Sequence, residues 1–365
     1  MSSIGSLEMQ EPSIDTDNLS YEIFSILESK FLFGYDDHQK LRIPKPVSPA
    51  PEPPPLIQPD DENPSSAIKN QRGKICILSI DSGGMRGIIS GKALAYLEHA
   101  LKSKSGNPNA DVAAGSGVGG IFIAMLIATR DGSRPIFTTE ATWRFLVENA
   151  KRIYRSGKGK QNGILKIILK NDSTGSSSTG LKKVVKEAFK ASDGRCLTLK
   201  DTLKPVLIPC FDLSSTAPFL FSRADALETD GFDFPISDVC RATLAKPGLF
   251  DPVMLRSVDG QTNCVAIDGS LAMSNPTAAA ITHVLHNKQE FHFVRGVEDL
   301  LVLSLGTGSL LEISYEYEQV KNWRVKDWAK PMARISEDGS ADSVDQAVAM
   351  AFRQCRSSNY VRIQG

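Results

Sequence analysis

The chain has 365 residues, 41% of them hydrophobic, enough to bury a large core, and its 42 basic residues balance its 42 acidic ones. That balance leaves no overall field to draw the protein to nucleic acid, so any attraction to an anionic surface has to be local. Six scattered cysteines, with no CxxC pair and no histidine at ligand spacing, argue against a zinc site or a disulfide framework, and most of them read as buried thiols in a reducing compartment.

The first 18 residues carry Glu8, Glu11, Asp15 and Asp17 but no lysine or arginine, the wrong polarity for a secretory or transit peptide. No apolar stretch approaches the roughly 20 residues that a bilayer crossing needs. A cytoplasmic protein is therefore expected, with any membrane contact peripheral. Residues 19–34 space their apolar side chains like a helix, from Tyr21 and Phe24 to Phe31 and Phe33, within an N-terminal segment 1–40 that is expected to dock. Residues 41–72 read as a linker, because nine of the chain's 20 prolines fall between Pro44 and Pro64. The folded domain is expected over 73–365.

Lys74 to Ile80 is a β-branched apolar run, the pattern of a buried parallel strand, and it ends in Asp81-Ser82-Gly83-Gly84-Met85-Arg86-Gly87. Ile88 to Ser103 then reads as an amphipathic helix. Asp111 to Gly120 is a second apolar run stopping in a glycine-dense corner, followed by the apolar stretch Ile121 to Ala128. Strand, glycine loop, helix, strand, glycine corner, helix is a βαβα series and implies a mostly parallel sheet covered on both faces.

Residues 138–190 read as helical around a serine- and glycine-rich loop at 171–180. Strands are expected at Val206–Leu213, Phe219–Ser222, Cys264–Ile267 and Leu300–Leu305, the last closed by Gly306-Thr307-Gly308. Helices are expected at Pro235–Ala245, at Thr277–His286 and twice between Glu318 and Phe352. Tyr360–Ile363 resembles a strand so near the end that a truncated or alternatively spliced C-terminus is expected.

The second corner has the grammar with which hydrolases hold a nucleophile at the top of a sheet, Gly-x-Ser-x-Gly, but its central residue is Gly117, which has no side chain. With Asp81 to Gly87, Asp268-Gly269-Ser270, Arg241 to Pro247 and Asn275-Pro276 in this order, the chain resembles the patatin-like phospholipases, plant lipid acyl hydrolases, over roughly Gly73 to the C-terminus. The resemblance implies a three-layer α/β sandwich with a mostly parallel central sheet, membrane phospholipid and galactolipid as substrates, and no cofactor or metal. It implies a serine–aspartate dyad with Asp268 as proton acceptor, and Gly83, Gly84 and Arg86 at the oxyanion loop. Gly117 is then the altered nucleophile position.

Three readings follow from that glycine. A water activated by Asp268 attacks the ester; or Ser116 or Ser82 substitutes as nucleophile; or the site binds acyl lipid without chemistry. Ser116 precedes the apex of the turn, so its side chain is expected toward the flank of the sheet. Asp81 and Arg86 are also open to a structural reading, as a helix-capping acid and an arginine paired with it. His283 and His286, at i and i+3 on one helix, read as ordinary helix histidines. Residues 158–170 mix lysines with apolar side chains and are open to two readings, a peripheral membrane contact or a helix packed on the domain.

Overall fold

Two strands and the glycine turns at their ends fix the position of everything that follows. The computed structural model describes residues 73–105, 110–154, 178–308, 315–355 and 358–364. The expected helix at 19–34, the linker at 41–72, the stretch 158–170 and most of the loop at 171–180 lie outside them. The chain divides into two units, Met1–Lys74 and Ile75–Gly365, and the second carries the sheet.

Ile75–Ile80 (β1) lies at the centre of that sheet, paired in parallel with Val112–Gly115 (β2) on one side and Leu300–Leu305 (β7) on the other. Val206–Asp212 (β3) extends the parallel register beyond β2, and Tyr360–Ile363 (β8) extends it beyond β7. Three strands run antiparallel: Ala217–Ser222 (β4) against β3, and Val253–Arg256 (β5) against Asn263–Ile267 (β6), which reaches β3 through Phe211 and Asp212. The sheet is mixed and mostly parallel. β5 is an addition to the sequence-based expectation, although its burial alternates, with Val253 and Leu255 inside and Met254 and Arg256 outside, the signature of a strand with one wet face.

Ten α-helices are described: Gly87–Ser105 (α1), Val118–Ile127 (α2), Thr139–Ile153 (α3), Ser178–Ala188 (α4), Arg223–Glu228 (α5), Ile236–Thr243 (α6), Gly269–Met273 (α7), Thr277–His286 (α8), Tyr317–Val320 (α9) and Val325–Gln354 (α10). Ser178 to Gly180, expected in the loop, form the first turn of α4. The two faces of the sheet are covered differently. On one, Ile77, Val112, Leu207 and Val302 pack with Ala280, Ile281 and Val284 of α8 and Val348 and Phe352 of α10. On the other, α2 lies close against β3, where Ile208 comes within 3.1 Å of a Cβ placed on Gly120. This is a three-layer α/β sandwich.

The turn from β2 into α2 is held by glycines that admit no substitute. A Cβ on Gly119 would stand 2.5 Å from the carbonyl oxygen of Ile80 and 2.7 Å from that of Asp81, and a Cβ on Gly115 would collide with the backbone of Gly119. Gly119→Ala is therefore expected to destabilise the domain by about 3 kcal/mol, the cost of overpacking against rigid backbone. A urea-unfolding midpoint equal to that of the unaltered chain would refute this close approach.

Candidate active site

Gly117 caps α2 with φ 55° and ψ −122°, a conformation that L side chains rarely adopt. Its N–H donates to Thr243 Oγ1 at 2.9 Å. Thr243 ends α6 and also abuts α7, since a Cβ on Gly269 would collide with the same hydroxyl and come within 3.0 Å of Ser116 Oγ. The structure thus seats the turn at 116–117 against the first residues of α7, whose cap is Asp268.

Asp268 accepts a hydrogen bond from Ser270 N–H through Oδ1 at 3.0 Å, while its N–H donates to Ala245 O at 3.1 Å. The other carboxylate oxygen, Oδ2, is buried without a partner among the described residues. Burial pushes this carboxyl above the usual carboxylate range, and the Lys246 ammonium and the Ser270 bonds pull it back only in part. Tyr154, at the end of α3, stands close enough that burial and the Asp268 charge both raise its phenol, and its hydroxyl too lacks a partner among the described residues.

The oxyanion loop follows β1. Asp81 N–H continues the sheet by donating to Leu305 O, after which Ser82 N–H turns to Ser274 O, each at 2.9 Å. Gly83 is extended and pressed against Thr307, whose hydroxyl donates to Ser82 O at 3.0 Å; a Cβ at 83 would run into that side chain. Gly84 has φ 56°, and a Cβ there would meet open space. Among the described residues the N–H groups of Gly83 and Gly84 have no protein acceptor. They open a 3-10 turn, Gly84–Arg86, that runs into α1, where backbone donors favour an anion.

The two charged residues at this loop make other contacts than the sequence suggested. Arg86 does not pair with Asp81; its Nη1 donates to Gly308 O at 2.8 Å and ties the loop to the turn after β7. Asp81 does not cap the helix but pairs with Arg362 of β8, Nη2 to Oδ2 at 2.6 Å, with both side chains buried. Burial raises Asp81 to about 6 in spite of that arginine. The Gly306-Thr307-Gly308 turn, read only as the end of a strand, thus supports the loop from below, and Ser90 Oγ donates to Gly306 O as well.

Two residues that sequence reasoning missed complete the site. Glu337 of α10 accepts from Ser82 Oγ through Oε1 at 2.7 Å and pairs with Lys246 Nζ through Oε2 at 2.8 Å. Burial alone would raise its carboxyl, but Lys246 and the Ser82 hydroxyl outweigh that and hold it below the usual range. Lys246 lies in the run Arg241 to Pro247, and nothing in the spacing of residues 91 positions apart links it to Glu337. Ser82 also borders the elbow, for its Cβ lies 3.2 Å from the Cβ position of Gly117. Ser116 differs from it, with an Oγ that is fully buried and unpartnered among the described residues, beside Gly269.

A cavity of about 860 Å³ opens beside the loop, lined by Met273, Ser274, Ala278, His283 and Val344 among others, and Ser274 Oγ is 3.4 Å from Ser82 Oγ. His283 is half-buried against Phe291. Among the described residues there is no group of three or more histidine, cysteine, aspartate or glutamate side chains able to hold a metal, and no helix long and apolar enough to cross a membrane.

A family model described as patatin-like phospholipase matches residues 78–281. Patatin-like protein 7 of Arabidopsis thaliana is 66% identical over 364 residues, 98% of this chain and 69% of its own length. Patatin-like protein 6 of the same plant is 64% identical over 372 residues, 98% of this chain and 72% of its own. A third Arabidopsis protein, named "Probable inactive patatin-like protein 9", is 43% identical over 298 residues, 80% of this chain and 75% of its own.

Proposed function

This chain belongs to the patatin-like phospholipase family, whose members are lipid acyl hydrolases, and we propose that it releases fatty acids from phospholipids and galactolipids, slowly, because residue 117 carries no hydroxyl. What supports the reading is that Gly269, the residue after Asp268 with its unpartnered carboxylate oxygen, packs on Ser116 and Thr243 at the elbow, and that the glycine loop keeps two unused N–H donors among the described residues. The loop N–H groups bind the oxyanion as the ester carbonyl is attacked, and Asp268 Oδ2 accepts the proton of an attacking oxygen. That oxygen comes from solvent or from a neighbouring hydroxyl. Burial makes Asp268 a stronger base than an exposed carboxylate, which suits it to this task.

Slow turnover follows from magnitudes. Loss of a nucleophilic serine elsewhere costs about a millionfold, yet oxyanion donors and binding retain roughly 10³ to 10⁴ over water. A second reading, lipid binding without catalysis, is favoured by Gly117 itself and by the relative whose name calls it inactive. Fatty-acid release from mixed micelles of phospholipid or galactolipid separates the two. The hydrolase reading expects release by the native chain above buffer and a fall of about 100-fold in Asp268→Asn; equal release by chain and buffer leaves the binding reading.

A further inference from the structure

The elbow has lost its hydroxyl, but a hydroxyl hydrogen-bonded to a carboxylate stands one side chain away. We propose that Ser82 is the nucleophile and Glu337 its base, a serine–carboxylate pair built on the oxyanion loop in place of the one that Gly117 forgoes. The inference rests on the hydrolase reading and names the oxygen that attacks.

Three observations carry it. The Ser82 hydroxyl donates to Glu337 Oε1 at 2.7 Å, the contact a serine needs in order to lose its proton as it attacks. Glu337 is kept ionised by Lys246 on its other oxygen, so at neutral pH it is in the state that accepts a proton. The Ser82 Cβ stands 3.2 Å from where a side chain on Gly117 would begin, beside the N–H groups of Gly83 and Gly84, so an ester carbonyl docked at that loop faces Ser82. Ser116, the other serine available, shares none of these: its Oγ is sealed against Gly269 with no carboxylate bonded to it.

The chemistry runs in two balanced steps. Ser82 Oγ bonds to the ester carbon as its proton passes to Glu337; the carbon–oxygen bond to the glycerol part breaks, and the departing alkoxide takes that proton. Water then attacks the acyl carbon, giving a proton to Asp268 Oδ2; the bond to Ser82 breaks, the serine oxygen takes that proton back from Asp268, and the free fatty acid leaves. Both carboxylates thereby have work, Glu337 in acylation and Asp268 in deacylation.

A fluorophosphonate probe followed by tryptic mapping, together with fatty-acid release from mixed micelles, tests this on the full chain. The native chain is expected to be labelled in the peptide 75–86, which contains Ser82. Ser82→Gly, a residue the loop can hold without strain, is expected to lose the label and to lower release about 100-fold or more. Glu337→Gln is expected to lower both by about 10- to 100-fold, with far-UV circular dichroism and thermal midpoint matching the native chain in each variant. Release kept within about threefold in Ser82→Gly, with no label on the native chain, would overturn the proposal while leaving the hydrolase reading intact, with water attacking directly. No release by the native chain at all would overturn both.

Discussion

Gly117→Ser is expected to raise fatty-acid release by at least about 100-fold, the largest gain any single substitution in this chain should give. The backbone at 117 already has the conformation in which an elbow serine is presented, φ 55° and ψ −122°, and its N–H is already anchored on Thr243. A new side chain meets only Ser82 Cβ, at 3.2 Å, which must give by a few tenths of an ångström. On the proposed assignment the added hydroxyl restores the dyad with Asp268, whose Oδ2 is unpartnered among the described residues, and works against the loop donors. A left-handed serine costs about 1–3 kcal/mol, and the thermal midpoint should fall accordingly while the rate climbs. In this variant the serine-directed probe should mark residue 117 as well. An unchanged rate in a folded variant would mean that Asp268 is not aimed at the elbow, and the assignment of that aspartate would fall.

Arg362→Met is expected to destabilise the domain by about 3–5 kcal/mol at pH 7.5, the cost of stranding a buried partner charge. Arg362 Nη2 holds Asp81 Oδ2, its Nη1 donates to Ser304 Oγ at 2.8 Å, and its Nε faces Asp345 at 3.8 Å. The pH dependence has a definite sign. Asp81, buried and with Asp345 and Asp342 nearby, is raised from 3.8 to about 6 even with the arginine present. A folded-state value above the unfolded one means that the protonated carboxyl favours folding. This contribution is complete below about pH 4 and is lost as pH rises to 6, a change of about 3 kcal/mol. Without Arg362 the carboxyl rises further, so the penalty of the variant is greatest at neutral pH and shrinks near pH 5, where Asp81 is protonated. Urea unfolding at pH 5 and 7.5 measures it; equal penalties at both would show that Asp81 is not the stranded group.

The parts of this site that the sequence makes legible are those whose physics is local. A β-branched run announces β1, and the glycines after it announce a turn where side chains will not fit, because both depend on residues a few positions apart. Gly115, Gly119 and Gly83 carry that message directly, each excluded from bearing a Cβ by a neighbour in space. Asp268 stands where a turn after the strand Cys264–Ile267 is expected, but its role as proton acceptor comes from the resemblance alone, not from local physics. What the chain hides are contacts made across the fold. Ser82 reads as no better a substitute hydroxyl than Ser116 until Glu337, 255 positions away, is found bonded to it. Thr307 and Gly308 read as the close of a strand until they are found under the loop, more than 220 positions from their partners. Asp81 and Arg86 are open to a structural reading from their spacing, but only as partners of each other, since nothing in that spacing reveals Arg362 or Gly308. β5 escaped for a different reason, being four residues long with an alternation that short segments often imitate.

Helix α10 is fastened at one end only. From Val325 to Ser340 no described side chain is buried; Ala341 is the first that is, and Val348 and Phe352 anchor the rest in the core. Glu337 therefore rides on the unanchored half, tethered by Ser82 and Lys246 alone among the groups bonded to it. Fraying those turns costs far less than melting the domain, and it withdraws a carboxylate from the loop while the sheet stays whole. Heat or denaturant would then silence this chemistry well before any global unfolding transition begins.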